Sequence, residues 1–194
     1  MNEFSFVTGV TREVREGLIL WAEKAKEYTD TYYQGDEENA RGTRFYQGVL
    51  KYRQILNSLF DFDKEENLRS VFDDQNLLAC VAIIQETSIF LEEELTDCIE
   101  IESLTNSPFN TIDYPVPEKR KGAATSLIEG IIKESQLLEL SNIFKLMTIP
   151  GAKRFYQRIG FIETNGSGEM ILDSNAAAMF LLDLEQKRNS DTFD

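Results

Sequence analysis

Residues Leu77 to Ile84 (Leu-Leu-Ala-Cys-Val-Ala-Ile-Ile) form an unbroken apolar run, and a run of that length without polar alternation is what a strand buried on both faces requires. It divides the chain. Upstream, Val14, Leu18, Trp21, Ala22 and Ala25 recur at helical spacing behind Thr11, whose hydroxyl can accept from the first-turn amides, so the pattern predicts a helix over about 11–28. After a polar stretch from Thr29 to Thr43, the residues Phe45, Val49, Tyr52, Leu56 and Leu59 resume a helical stripe, which predicts a helical hairpin. Downstream, Ser88–Leu91 and Asp97–Leu104 read as further strands around the acidic turn Glu92-Glu93-Glu94. With 77–84 they make a three-stranded antiparallel meander.

The remaining segments alternate in type. Ala124, Leu127, Ile128, Ile131 and Ile132 mark an amphipathic helix of about twelve residues, and Ile143–Ile149 makes another buried strand. Residues 97–149 thus form a strand-helix-strand unit whose two strands should lie parallel. Pro150-Gly151 opens a short helix carrying Ala152, Phe155, Tyr156 and Ile159, which Gly160 ends, since a helix terminus wants a left-handed residue there. Phe161-Ile162 and Met170-Ile171-Leu172 read as a hairpin around 165–168, and a last helix covers about 175–186. The expectation is a single domain over 1–194, with a helical part at 1–76 and a mixed sheet at 77–187.

Composition narrows the chemistry. The chain has no histidine, which removes Ser-His-Asp and Cys-His catalysis, and two cysteines, Cys80 and Cys98, cannot make a four-ligand zinc site. No metal is expected. Asp73-Asp74 lacks the spacing of a calcium loop and reads as a helix end. Proton transfer falls to carboxylates, tyrosine, lysine, cysteine or water. The formal net charge of −14 sets a far field that attracts a cationic amine and repels nucleic acid. No apolar run is long enough to span a membrane, and the first residues lack the marks of a signal peptide, so the expected location is cytoplasmic.

The most informative stretch is Val116-Pro117-Glu118-Lys119-Arg120-Lys121-Gly122-Ala123-Ala124, placed between a strand and a helix. Small residues at Gly122, Ala123 and Ala124 let the backbone approach a ligand, and the first amides of a helix point outward at the positive end of its dipole. Lys119, Arg120 and Lys121 raise the local potential further, as a pyrophosphate would require. Downstream, Phe155-Tyr156-Gln157-Arg158-Ile159-Gly160-Phe161 follows a strand.

Together these two segments resemble the GCN5-related N-acetyltransferase superfamily, whose phosphate loop reads Arg/Gln-x-x-Gly-x-Gly/Ala and whose later helix often ends in Phe-Tyr-x-x-x-Gly-Phe. Lys119 to Ala124 departs from the first pattern only at Lys119, and 155–161 matches the second throughout. The resemblance covers about 77–187. It implies a mixed α/β fold: a twisted sheet with central splayed parallel strands, flanked by helices, with the N-terminal helical hairpin on the acceptor side. It also implies acetyl-CoA or another acyl-CoA as co-substrate, held by Val116 and Lys119 to Ala124, and an amine on a small molecule or peptide as acceptor. Homodimers are common in the family, although no interface is legible in the sequence.

By the same resemblance Tyr156 faces the departing thiolate as general acid, and backbone amides near Met147–Ile149 could polarise the acyl carbonyl. For the base, Glu100 and Glu102 alternate with Ile99 and Ile101 and so project from one face of a strand, with Glu86 at a strand end as a third candidate. Asn110, Asp113 and Tyr114 could contact the acceptor. Acylation of charged transfer RNA, also known in this superfamily, ranks last because a charge of −14 with one short basic run disfavours RNA docking, and two other readings stand ahead of it. One is long-chain acyl transfer to a peptide side chain, with Tyr28, Tyr32, Tyr33, Phe45, Tyr46, Tyr52 and Phe60 walling an apolar tunnel. The other is a catalytically silent member that binds coenzyme A or a protein partner.

Overall fold

The computed structural model describes residues 4–59, 62–91 and 93–191. Phe60 and Glu92, named above, lie outside them. In chain order the elements are β1 (Ser5–Thr8), α1 (Arg12–Tyr32), α2 (Arg44–Leu59), β2 (Leu68–Phe72), β3 (Leu78–Leu91), β4 (Glu94–Asn106), α3 (Pro108–Thr111), α4 (Ala123–Leu137), β5 (Phe144–Met147), α5 (Lys153–Ile159), β6 (Ile162–Glu163), β7 (Glu169–Leu172) and α6 (Ser174–Asp191). The seven strands form one mixed sheet in the order β1-β2-β3-β4-β5-β7-β6. The expected α/β architecture is therefore present. Two compact units make up the chain, residues 2–83 with 103–127 and residues 84–102 with 128–194.

The first unit is built around the two long helices. Thr11 caps α1, its hydroxyl accepting from the Val14 amide at 3.3 Å, as the sequence suggests. Trp21 is fully buried and its indole N–H donates to the Leu78 carbonyl at 2.7 Å; the Tyr52 hydroxyl donates to the Leu18 carbonyl at 2.7 Å. These bonds let two polar-tipped aromatics enter a core without stranded donors. Tyr28, Tyr33, Phe45 and Tyr52 are buried in the same core, and Tyr33 stacks on Phe45 at 5.5 Å between centroids. These four fill space rather than line it, while Tyr32 and Tyr46 are only partly buried against them.

Two strands in this unit correct the expectation of a purely helical part before residue 77. β1 pairs antiparallel with β2 from Ser5–Phe72 to Thr8–Arg69, and β2 pairs antiparallel with β3. Both are too short to show a period against the flanking polar residues. Asp73, read as a helix end, instead closes the turn between β2 and β3. Its Oδ1 accepts from the Gln75 and Leu77 amides at 2.9 and 2.8 Å, a local turn for which Asp is well suited.

The second unit holds the outer part of the β3–β4 hairpin, most of α4, and everything after it. Residues 77–91 are not two strands, because β3 runs unbroken from Leu78 to Leu91, and Glu86 lies within it rather than at an end. A polar triplet at 85–87 interrupts the apolar pattern without interrupting the ladder, since one partner strand is enough to hold the backbone. β4 and β5 are parallel, in the register Ile99–Phe144, Glu100–Lys145 and Ile101–Leu146, as the crossover predicts. β5, β7 and β6 continue antiparallel. Gly160 caps α5 at φ +112°, a conformation that costs an L-residue about 1–2 kcal/mol. Glu129 of α4 is buried and takes ion pairs from Lys133 and Arg188, which ties α6 to α4.

Candidate active site

The stretch that enters α4 is held from three sides, all within the first unit. The Arg120 amide donates to Asn110 Oδ1 at 2.7 Å, and Asn110 Nδ2 in turn donates to the Ala79 carbonyl of β3 at 3.3 Å. The Lys119 ammonium donates to the Ile112 carbonyl. The Arg120 guanidinium lies 3.8 Å from Asp73 Oδ2 and 3.6 Å from Asp74 Oδ1, and donates to the Pro117 and Lys119 carbonyls. Asp73 Oδ2 is buried without a hydrogen bond, so the guanidinium is what offsets its burial. Two of the three cations thus brace the loop. Lys121 is exposed.

What this bracing presents is a row of backbone donors. The Lys119 amide closes a turn on Val116 and the Arg120 amide is taken by Asn110. The first helical bond runs from the Ser126 amide to the Gly122 carbonyl at 2.9 Å. Between them, the amides of Lys121, Gly122, Ala123, Ala124 and Thr125 have no hydrogen-bond partner among the described residues. Helix starts always leave such donors; here the row extends back through Gly122, whose φ of +99° re-aims the chain just before the helix. With the helix dipole behind them, these amides suit an oxyanion. Asn110 and Asp73 were not legible as parts of this loop, because each acts through a contact distant in sequence.

Of the residues proposed to meet the acceptor, Asp113 pairs with Arg44 at 3.0 Å, and Tyr114 stacks on Tyr32 with centroids 4.2 Å apart and planes 9° from parallel. Asn110 is a support of the loop. Glu118 pairs with Lys24 at 3.1 Å.

The other sequence candidates lie in the second unit. Tyr156 is buried on α5, edge-on to Phe155 at 5.0 Å and to Phe161 at 5.6 Å, so its ring is fixed by packing. Glu100 on β4 pairs with Lys145 at 3.2 Å and lies 3.4 Å from Gln85 Nε2. The parallel register sets that ion pair, because Glu100 and Lys145 are direct neighbours across it. Glu102 is exposed, one residue past the last registered pair, Ile101–Leu146. From there β4 runs on to Asn106 while β5 ends at Met147. The Thr148 amide donates to the Gly168 carbonyl at 2.8 Å, which removes it from the amides available to a ligand carbonyl.

No family model matches the chain, and no curated protein matches it by sequence. Among solved structures, a candidate acetyltransferase from Exiguobacterium sp. 255-15 superposes with a TM-score of 0.53 at 18% identity, over 91% of this chain and 97% of that one. A GCN5-related N-acetyltransferase from Anabaena variabilis ATCC 29413 gives 0.49 at 15% identity, over 84% of this chain and 32% of that one. AtaT in complex with acetyl-methionyl-tRNAfMet gives 0.44 at 8% identity, over 58% and 73%. The last is bound to nucleic acid, the partner class that charge alone argues against for this chain.

Proposed function

We propose that this chain, which has the GCN5-related N-acetyltransferase fold, is a cytoplasmic N-acyltransferase that moves an acetyl or short acyl group from acyl-CoA to a primary amine. The observation that carries the reading is the row of amides from Lys121 to Thr125 at the start of α4, which have no partner among the described residues and are braced from outside. A pyrophosphate supplies several oxygens at that spacing, and each bond formed there satisfies a donor that otherwise depends on water.

In this reading the acceptor nitrogen attacks the thioester carbon, and the C–S bond breaks as the C–N bond is made. The amine proton leaves to a carboxylate or a water. Glu100, paired with Lys145 across the parallel register, and Glu102, exposed one residue past that register, are the carboxylates proposed for that role. The departing thiolate takes a proton from the Tyr156 phenol. An excess of carboxylates over the whole chain favours a cationic acceptor over a nucleic acid. A short acyl group is favoured over a long one because four of the aromatics that would wall a tunnel, Tyr28, Tyr33, Phe45 and Tyr52, are buried in the core.

Titration calorimetry with acetyl-CoA and palmitoyl-CoA tests the donor. Saturable binding of acetyl-CoA, with palmitoyl-CoA no tighter, is the expected result; tighter palmitoyl-CoA binding would overturn the short-chain assignment, and binding of neither would overturn acyl-CoA as donor. Acyl transfer to a panel of diamines and basic peptides then tests Tyr156, since Tyr156→Phe should lower kcat by roughly tenfold to a hundredfold while leaving acyl-CoA affinity unchanged.

A further inference from the structure

The β3–β4 hairpin changes character halfway along. From Leu78 to Ile84 every β3 residue is buried, and the register with β2 runs from Leu78–Phe72 to Ile83–Leu68. Beyond that point β2 has ended, and among the described residues no strand lies on that side of β3. Among the described residues the backbone from Gln85 to Leu91 makes no bond outside the sheet ladder. This is an open strand edge, whose alternating N–H and C=O groups are a template for one more strand.

The side chains at this edge are acidic and, at the tip, apolar. Between Arg69 and Lys119 the sequence contains no lysine or arginine. Glu86, Glu93 and Glu94 are exposed, and no cation pairs with them or with Asp97 among the described residues. Ser88 Oγ donates to Asp97 at 3.2 Å and Gln85 contacts Glu100 at 3.4 Å, and that register carries on to set Phe90 beside Leu95. Both are exposed, 74% and 65%, in a position where neighbouring side chains share one face.

We propose that the β3 edge from Gln85 to Leu91 docks a basic, extended segment of another protein, which adds to the sheet as an outer strand. The backbone edge supplies the hydrogen bonds, Glu86 and the acidic turn select lysine or arginine, and Phe90 with Leu95 takes an apolar residue at one end. A second copy of this chain is a poor occupant, because it would bring one unpaired acidic edge against another. The docking stands apart from acyl transfer and needs no acyl-CoA.

The test uses a fluorescein-labelled peptide alternating lysine with valine, and the same peptide N-methylated at every second residue. Fluorescence anisotropy should show saturable binding of the first, weakening as salt is raised, and roughly a hundredfold loss for the second. Glu86→Lys with Glu94→Lys should weaken binding about tenfold, and both side chains are exposed, so the fold is kept. Gly122→Glu should leave it unchanged. Equal binding of the N-methylated peptide would overturn strand addition, and no binding of the unmodified peptide would overturn the site. Sedimentation showing a concentration-dependent dimer abolished by Phe90→Ser would assign the edge to a second copy instead.

Discussion

The start of α4 and the outer half of β3 are both short of backbone partners, and they differ in what kind of group is left over. At Lys121 to Thr125 five successive amides have no partner among the described residues, placed at a helix start whose dipole favours negative charge. Along Gln85 to Leu91 donors and acceptors alternate, as in any strand edge, in a stretch with carboxylates and no cation. A row of donors suits a small anion with several oxygens; an alternating edge suits only another strand. The two also differ in support. Three separate attachments hold the loop before α4, whereas the outer hairpin is held by its own ladder.

The largest effect should come from placing a charge among the donors. Gly122→Glu adds a side chain at a φ of +99°, which costs about 1–2 kcal/mol of folding stability, and a carboxylate where a pyrophosphate would lie. Acyl-CoA affinity should fall by roughly a hundredfold or more. Gly122→Ala separates the two causes, since its Cβ would meet Phe4 at an ordinary 3.6 Å: calorimetry should show most of the affinity retained. If both variants lose binding alike, backbone conformation rather than charge is what the ligand reads.

Next in size is the bracing of the loop. Asp73→Ala removes the acceptor for the Gln75 and Leu77 amides and the carboxylate beside the Arg120 guanidinium. Chemical denaturation should show a loss of about 2–4 kcal/mol, and acyl-CoA affinity should fall by roughly tenfold as the loop gains freedom. Lost stability with unchanged affinity would mean that Asn110 and Lys119 hold the loop unaided, and the contrast in support between the two regions would shrink.

Much of this was written locally in the sequence. The α1 cap at Thr11, the Gly160 terminus, the parallel β4–β5 pair and the small residues before α4 each depend on neighbours within a few positions or on a strong period. The misses share another cause. β1 and β2 are too short to show alternation, and β1 takes its partner strand from far along the chain. Asp73 looked like a helix end because Asp-Asp-Gln-Asn suits several local structures equally; only its distance to Arg120 gives it a role. The three cations before Gly122 suggested direct contact with phosphate, yet the fold spends Lys119 and Arg120 on carbonyls and carboxylates. Glu100 and Glu102 were equivalent by alternation, and the parallel register that sets Lys145 beside Glu100 is not legible in it.

The smallest expected effect is the most diagnostic for the outer hairpin. Phe90 and Leu95 are exposed, so Phe90→Ser with Leu95→Ser removes little that folding buries, and stability should change by no more than about 0.5 kcal/mol. A large apolar pair that contributes so little to the fold is a cost in solubility unless it serves contact. Hydrogen exchange sharpens the point: amides of β3 in the β2-paired half should exchange only with global unfolding, and those on the open side of the outer half should exchange far faster. Uniform protection along all of β3 would mean that the outer edge is already covered in the folded chain, and the alternation of free donors and acceptors on which its contrast with α4 depends would not exist.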